Sequence, residues 1–74
     1  MAKHLIMDHT GHSTVEFDPS KTVDLREAME RFERLTKSGH AAAVKNPGDA
    51  GYKLTRTFDP TAEETLFVPQ MQGG

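Results

Sequence analysis

One stretch near the start of the chain alternates between apolar and polar positions, and another repeats its apolar residues at helical spacing. Residues 3–8, Lys-His-Leu-Ile-Met-Asp, read as a first strand. Residues 12–17, His-Ser-Thr-Val-Glu-Phe, place Val15 and Phe17 on one face with the period of two that a half-buried strand requires. His9-Thr10-Gly11 lies between them, with glycine where a left-handed residue is needed, so the segment predicts a β-hairpin. Asp18-Pro19-Ser20 breaks the second strand. Leu25, Ala28, Met29, Phe32 and Leu35 then recur at offsets of three and four and form one apolar stripe of a helix. Thr22 is the expected N-cap, and Asp24 suits the positive helix start. Glu27–Arg31, Glu30–Arg34 and Glu33–Lys37 are i,i+4 pairs worth about 0.2–0.5 kcal/mol each. Gly39 is the expected stop.

Beyond the helix, Ala41–Lys45 reads as a strand in spite of alanine's low strand propensity. Asn46-Pro-Gly-Asp-Ala-Gly51 is a turn signal. Tyr52–Phe58 alternates again, with Tyr52 and Leu54 sharing a face. Thr61–Glu64 has the makings of one capped helical turn. Thr65–Val68 is a last short strand, ended by Pro69, which has no N–H for a ladder. The order is β-β-α-β-β-β, an α+β domain over residues 1–69 followed by a flexible tail, 70–74. One sheet face is expected to carry Leu5 or Ile6, Val15, Phe17, Leu54 and Leu66 or Phe67, covered by a helix stripe with Met29 in the core.

The 74 residues make one domain with a small core. The chain has no cysteine, so neither a disulfide nor a thiol nucleophile exists, which fits a reducing, cytoplasmic setting. Nine basic and eleven acidic residues are interspersed, with a net charge of −2, and no basic block marks a nucleic-acid footprint. The apolar run that begins the chain is too short for a signal peptide or a membrane span. Phe-Asp-Pro occurs twice, at Phe17–Pro19 and Phe58–Pro60, each as a strand end followed by a turn.

Few residues carry chemistry. His4, Asp8, His9 and His12 are close in sequence, and carboxylate with imidazole can bind zinc. Neighbouring strand positions point to opposite faces, however, so no metal site and no cofactor are expected. Asp18, Asp59, Glu63 and Glu64 fall in turns, where solvated carboxylates lack the burial that separates an acid from a base. Ser13, Ser20 and Ser38 have no nucleophile context, and the chain is not expected to be an enzyme. Met71 stands in the tail with nothing to bury it, placed to touch a partner that grips the tail.

In several features taken in order, the chain resembles ubiquitin and its β-grasp relatives. They are the apolar first strand leading into Thr10-Gly11, the alternating second strand, Asp18-Pro19-Ser20, and Thr22-Val23 opening the helix. Glu64-Thr65-Leu66-Phe67-Val68 then reads as a last strand before a tail closing in Gly73-Gly74. Pro69 and the neutral Gln70, Met71 and Gln72 make the tail more similar to small sulfur carriers, such as the small subunit of molybdopterin synthase. The resemblance covers roughly residues 5–25 and 63–74 and implies a β-grasp-like ββαβββ sheet with one helix on one face. It implies a bacterial-type protein modifier or sulfur carrier, activated with ATP at the Gly74 carboxylate by an E1-like adenylating enzyme. An E2-like or sulfur-transfer partner would follow, with target proteins if the chain is conjugated. Gly73 and Gly74 would be the activated end, and Val68, Pro69 and Met71 the tail that is recognised. Val44, Lys45 and Val68 would lie on a partner-facing sheet surface of a monomer. The alternative is a non-covalent interaction or structural accessory module, of phage type, whose tail has no chemistry.

Overall fold

The structure, a computed structural model, describes residues 1–69. The elements are β1 (Ala2–Asp8), β2 (Gly11–Phe17), α1 (Thr22–Lys37), β3 (His40–Lys45), β4 (Lys53–Thr55) and β5 (Glu64–Pro69). The order read from the sequence is the order observed. All five strands join one sheet in the order β2-β1-β5-β3-β4. The β1–β5 pair is parallel and the other pairs are antiparallel, so the sheet is mixed. Such an α+β arrangement, one helix on a mixed five-strand sheet, is compatible with a β-grasp-like fold.

The turns are built by one device used three times. Asp8 Oδ1 accepts hydrogen bonds from the backbone N–H and the hydroxyl of Thr10, both at 2.8 Å. Asp18 Oδ1 does the same for Ser20 at 3.0 and 2.6 Å, and Asp59 Oδ1 for Thr61 at 2.9 and 2.6 Å. Each Asp-x-Ser/Thr unit makes an Asx turn, in which the side chain stands in for a backbone acceptor. The two Phe-Asp-Pro echoes are two of these units. Around Asp59–Glu63 the chain therefore makes a turn rather than a capped helical one. The hairpin loop is tighter than expected, since Gly11 already pairs with Asp8 and has φ 143°.

Helix α1 corrects one expectation. Its N-cap is Lys21, with no side-chain cap, and Thr22 is already helical. The acidic group in the first turn serves another purpose, because Asp24 Oδ2 accepts the Asp18 N–H at 3.1 Å and ties the helix start to the end of β2. At the other end Gly39, with φ 104°, makes the left-handed exit that lets the chain enter β3.

The core lies between α1 and one sheet face. All four phenylalanines of the chain meet there, three of them around His4. The His4 ring meets Phe17 and Phe67 at centroid distances of 5.0 Å and Phe58 at 6.2 Å, all edge-on. Phe32 meets Phe58 at 5.9 Å and Phe67 at 5.7 Å. Ala2, Ala28 and Ala42 are also buried, small residues between the helix and the sheet. Of the alternatives left open, Phe67 and Ile6 point to the helix, whereas Leu66 and Leu5, their neighbours, point away. Two face assignments change. Leu54 is not in the core but 83% exposed, because its register partner Ala43 lies opposite Leu66 on the far face. Met29 is exposed on the flank of the helix, where no strand reaches far enough to cover it. The strand read over Tyr52–Phe58 is only Lys53–Thr55, after which the chain leaves the sheet and sends Phe58 into the core.

Candidate functional site

The far face of the sheet, opposite α1, is organised in rows by the strand registers. Thr14, Leu5, Leu66, Ala43 and Leu54 are successive partners across all five strands. The next outward-facing row on one side is Glu16, Lys3, Glu64 and Lys45, with alternating sign at every step. Opposite charges on neighbouring strands contribute about 0.2–1 kcal/mol per pair. The Tyr52 hydroxyl donates to Glu64 Oε1 at 2.7 Å, and this bond to a carboxylate raises the Tyr52 pKa. On the other side of the apolar row stand Met7 on β1 and the Val68–Ala41 pair. The open face is thus an apolar band with a charged border, half-buried at Leu5, Leu66 and Ala43 and exposed at Leu54 and Met7.

Of the residues singled out in the sequence, Lys45 and Val68 are half-buried and lie on this face, Lys45 in the charged row and Val68 beside Ala41. Val44 does not. It pairs with Thr65 on the helix side and is 7% exposed, because the alternation of β3 turns it inward when Lys45 turns out. Pro69 is exposed at the end of β5, opposite His40. Met71, Gly73 and Gly74 lie outside the described residues. The sequence reading missed Leu5, Leu66 and Leu54 as surface residues. The signal was present in Thr65-Leu66-Phe67-Val68, where a nearly unbroken apolar run on a central strand calls for cover on both faces.

The polar residues at the centre of the fold make a different kind of site. His4 is fully buried. Its Nδ1 accepts a hydrogen bond from Arg31 Nε–H at 3.1 Å. The ring proton therefore sits on Nε2, which has no hydrogen-bond partner among the described residues. Burial, with the Arg31 charge as the second cause, lowers the His4 pKa from 6.5 to about 4. The ring is held neutral and out of reach of any substrate, as a positioning contact between β1 and α1.

The remaining candidates are separated. Asp8 is engaged by Thr10 in its turn, while His9 and His12 are exposed at the hairpin end, away from the buried His4. Among the described residues no three His, Cys, Asp or Glu side chains gather to hold a metal ion. Asp8, Asp18 and Asp59 each have a pKa below the ordinary carboxylate value, first because a neighbouring hydroxyl donates to them. They stay ionised, the opposite of what a general acid needs. No helix among the described residues is long and apolar enough to cross a membrane.

The corrected face of Leu54 has a direct check. Leu54→Ser is expected to change stability by no more than about 0.5 kcal/mol, as exposed substitutions do. A loss above about 2 kcal/mol in a urea titration would return Leu54 to the core.

In comparisons with known proteins, the chain matches no family model, no curated protein and no solved structure.

Proposed function

We propose that this chain is a ubiquitin-like modifier or sulfur carrier whose reactive group is the Gly74 carboxylate. The observation that carries the reading is the sheet order β2-β1-β5-β3-β4 with a parallel β1–β5 pair, compatible with a β-grasp-like fold. In that order the last strand is the centre of the sheet, and Gly73-Gly74 follows its last described residue, Pro69, in the sequence.

The chemistry asks little of the domain itself. The Gly74 carboxylate attacks the α-phosphate of ATP on an adenylating partner, pyrophosphate leaves, and an acyl-adenylate forms. A partner thiolate then displaces AMP to give a thioester, from which an amine on a target takes the acyl group as an amide and releases the thiol. In the sulfur-carrier branch, sulfide instead attacks the acyl-adenylate carbonyl, AMP leaves, and a thiocarboxylate remains at Gly74. Glycine suits the end because it has no Cβ and admits close approach of a pocket wall. Five residue steps from Pro69 to Gly74 span about 17 Å when extended. The band Leu5–Leu66–Ala43–Leu54 supplies an apolar surface on which such a partner docks while the tail is engaged.

Deletion of Gly73 and Gly74 is expected to abolish every covalent adduct while the far-UV circular dichroism and melting curve stay those of the whole chain. Adducts that persist in the deletion would overturn the reading.

A second reading rests on the exposure of Leu54 within the apolar band. In it the domain is a non-covalent interaction module that binds through its open face, and the tail plays no part. Light scattering separates the two. The carrier is expected to be a monomer at micromolar concentration, and an obligate oligomer that Leu54→Ser dissociates would favour the module.

A further inference from the structure

The flank of α1 that leaves Met29 exposed borders a groove of about 950 Å³. Its other wall is the segment after β4, with Thr57, Phe58 and Pro60. Leu25, Met29 and Phe32 line the helix side, and the edge-to-face contact of Phe32 with Phe58 closes the bottom. The volume is at the upper end of the range of small-molecule sites, about 300–1,000 Å³. The groove exists because β4 has only three residues, so the sheet ends before it can fill the space beside the helix.

The charges of this groove oppose those of the whole protein. Arg26, Lys37 and Arg56 line it against one carboxylate, Glu33, which leaves two positive charges in excess. The chain as a whole carries −2. Arg26 and Lys37 are eleven residues apart on one helix, about 16 Å along its axis. Lys37 and Arg56 face the groove from opposite walls. An apolar trough with cations at its rim selects a ligand by both properties, since the apolar body fills the trough and an acid group reaches a guanidinium or ammonium.

We propose that this groove binds an amphipathic organic carboxylate, with its aliphatic body along Leu25, Met29, Phe58 and Pro60 and its carboxylate at Arg56 and Lys37. The site is on the opposite side of the sheet from the apolar band and is independent of the chemistry at Gly74.

The test uses dodecanoate, below its micellar concentration, added to the full chain and followed by amide NMR shifts. Saturable binding with shifts concentrated in residues 25–37 and 56–60 is expected. The double variant Lys37→Glu, Arg56→Glu, at two exposed positions, is expected to keep its fold by circular dichroism and to bind about tenfold more weakly. Dodecyltrimethylammonium, with the same tail and the opposite charge, is expected not to saturate the site. Equal binding of both amphiphiles, unchanged affinity in the double variant, or shifts confined to the open face around Leu54 would each overturn the proposal.

Discussion

Phe67→Ala is expected to remove about 3–5 kcal/mol, a large share of the domain's stability. Phe67 is fully buried on the central strand, between the His4 ring and Phe32. Removing a buried phenylalanine side chain costs about 3–5 kcal/mol, from lost transfer free energy and from the cavity left behind. A chain of 74 residues has about 4–11 kcal/mol of stability to lose, at about 0.05–0.15 kcal/mol per residue. No disulfide compensates, since the chain has no cysteine. The neighbours cannot collapse into the space easily. The residues around it are the rings of His4, Phe32 and Phe58, the short Ala42, and Ile6 and Leu35, which are already packed in the same cluster. Urea unfolding followed by circular dichroism reads the effect as a collapse of the midpoint. A loss below about 1 kcal/mol would mean that Phe67 and Leu66 have exchanged faces, and with them the register of the whole sheet.

The second large effect is a loss of stability in mild acid that depends on one side chain. His4 has a pKa of about 4 when folded and 6.5 as an ordinary imidazole. Between these values the unfolded chain binds a proton that the folded chain refuses. Stability therefore falls as the pH drops from about 6.5 to about 4 and levels off below. The full difference is about 3 kcal/mol. Burial among Phe17, Phe58 and Phe67 is the larger cause, and the Arg31 guanidinium donating to Nδ1 is the second, because a protonated ring would face it as a like charge. Asp8, Asp18 and Asp59 add a separate acid phase. Their pKa values are depressed, so their contribution is present above 3.8, the ordinary carboxylate value, and is lost as the pH falls through their lower folded values. The variant His4→Leu is expected to lose the first phase and keep the second. Melting temperatures at a series of pH values read both, and a His4→Leu variant with an unchanged slope above pH 4 would assign the first phase to another group.

Much of the fold was legible in the sequence because it rests on local patterns. The alternation of Val15 and Phe17, the stripe through Ala28 and Phe32, and the left-handed exit at Gly39 each follow from a few neighbouring residues. The Asp-x-Ser/Thr turns are local too, and two of them were visible as the repeated Phe-Asp-Pro. Faces were harder. In β1 the buried positions are Ala2, His4 and half-buried Ile6, so a histidine occupies a core place while Leu5 and Met7 point away. Nothing in Lys-His-Leu-Ile-Met distinguishes the two faces, since the deciding contacts are with Phe17, Phe58 and Phe67, far along the chain. Leu54 and Val44 were assigned to the wrong sides for the same reason, because register across β3, β4 and β5 is a tertiary fact. The exposed Met29 and its groove reflect the shortness of β4, which seven alternating residues from Tyr52 to Phe58 conceal. The candidate site divides in the same way. The Gly73-Gly74 pair is a sequence motif, whereas the apolar band and its charged border appear only once five strands are aligned.

The most direct measurement is the intact mass of the protein recovered from its own cells, beside that of the variant lacking Gly73 and Gly74. The carrier reading expects either larger species joined through an amide at Gly74 or a mass gain equal to the exchange of one carboxylate oxygen for sulfur, and neither in the variant. A single unmodified mass for the whole chain, with the variant indistinguishable in its behaviour, would contradict it.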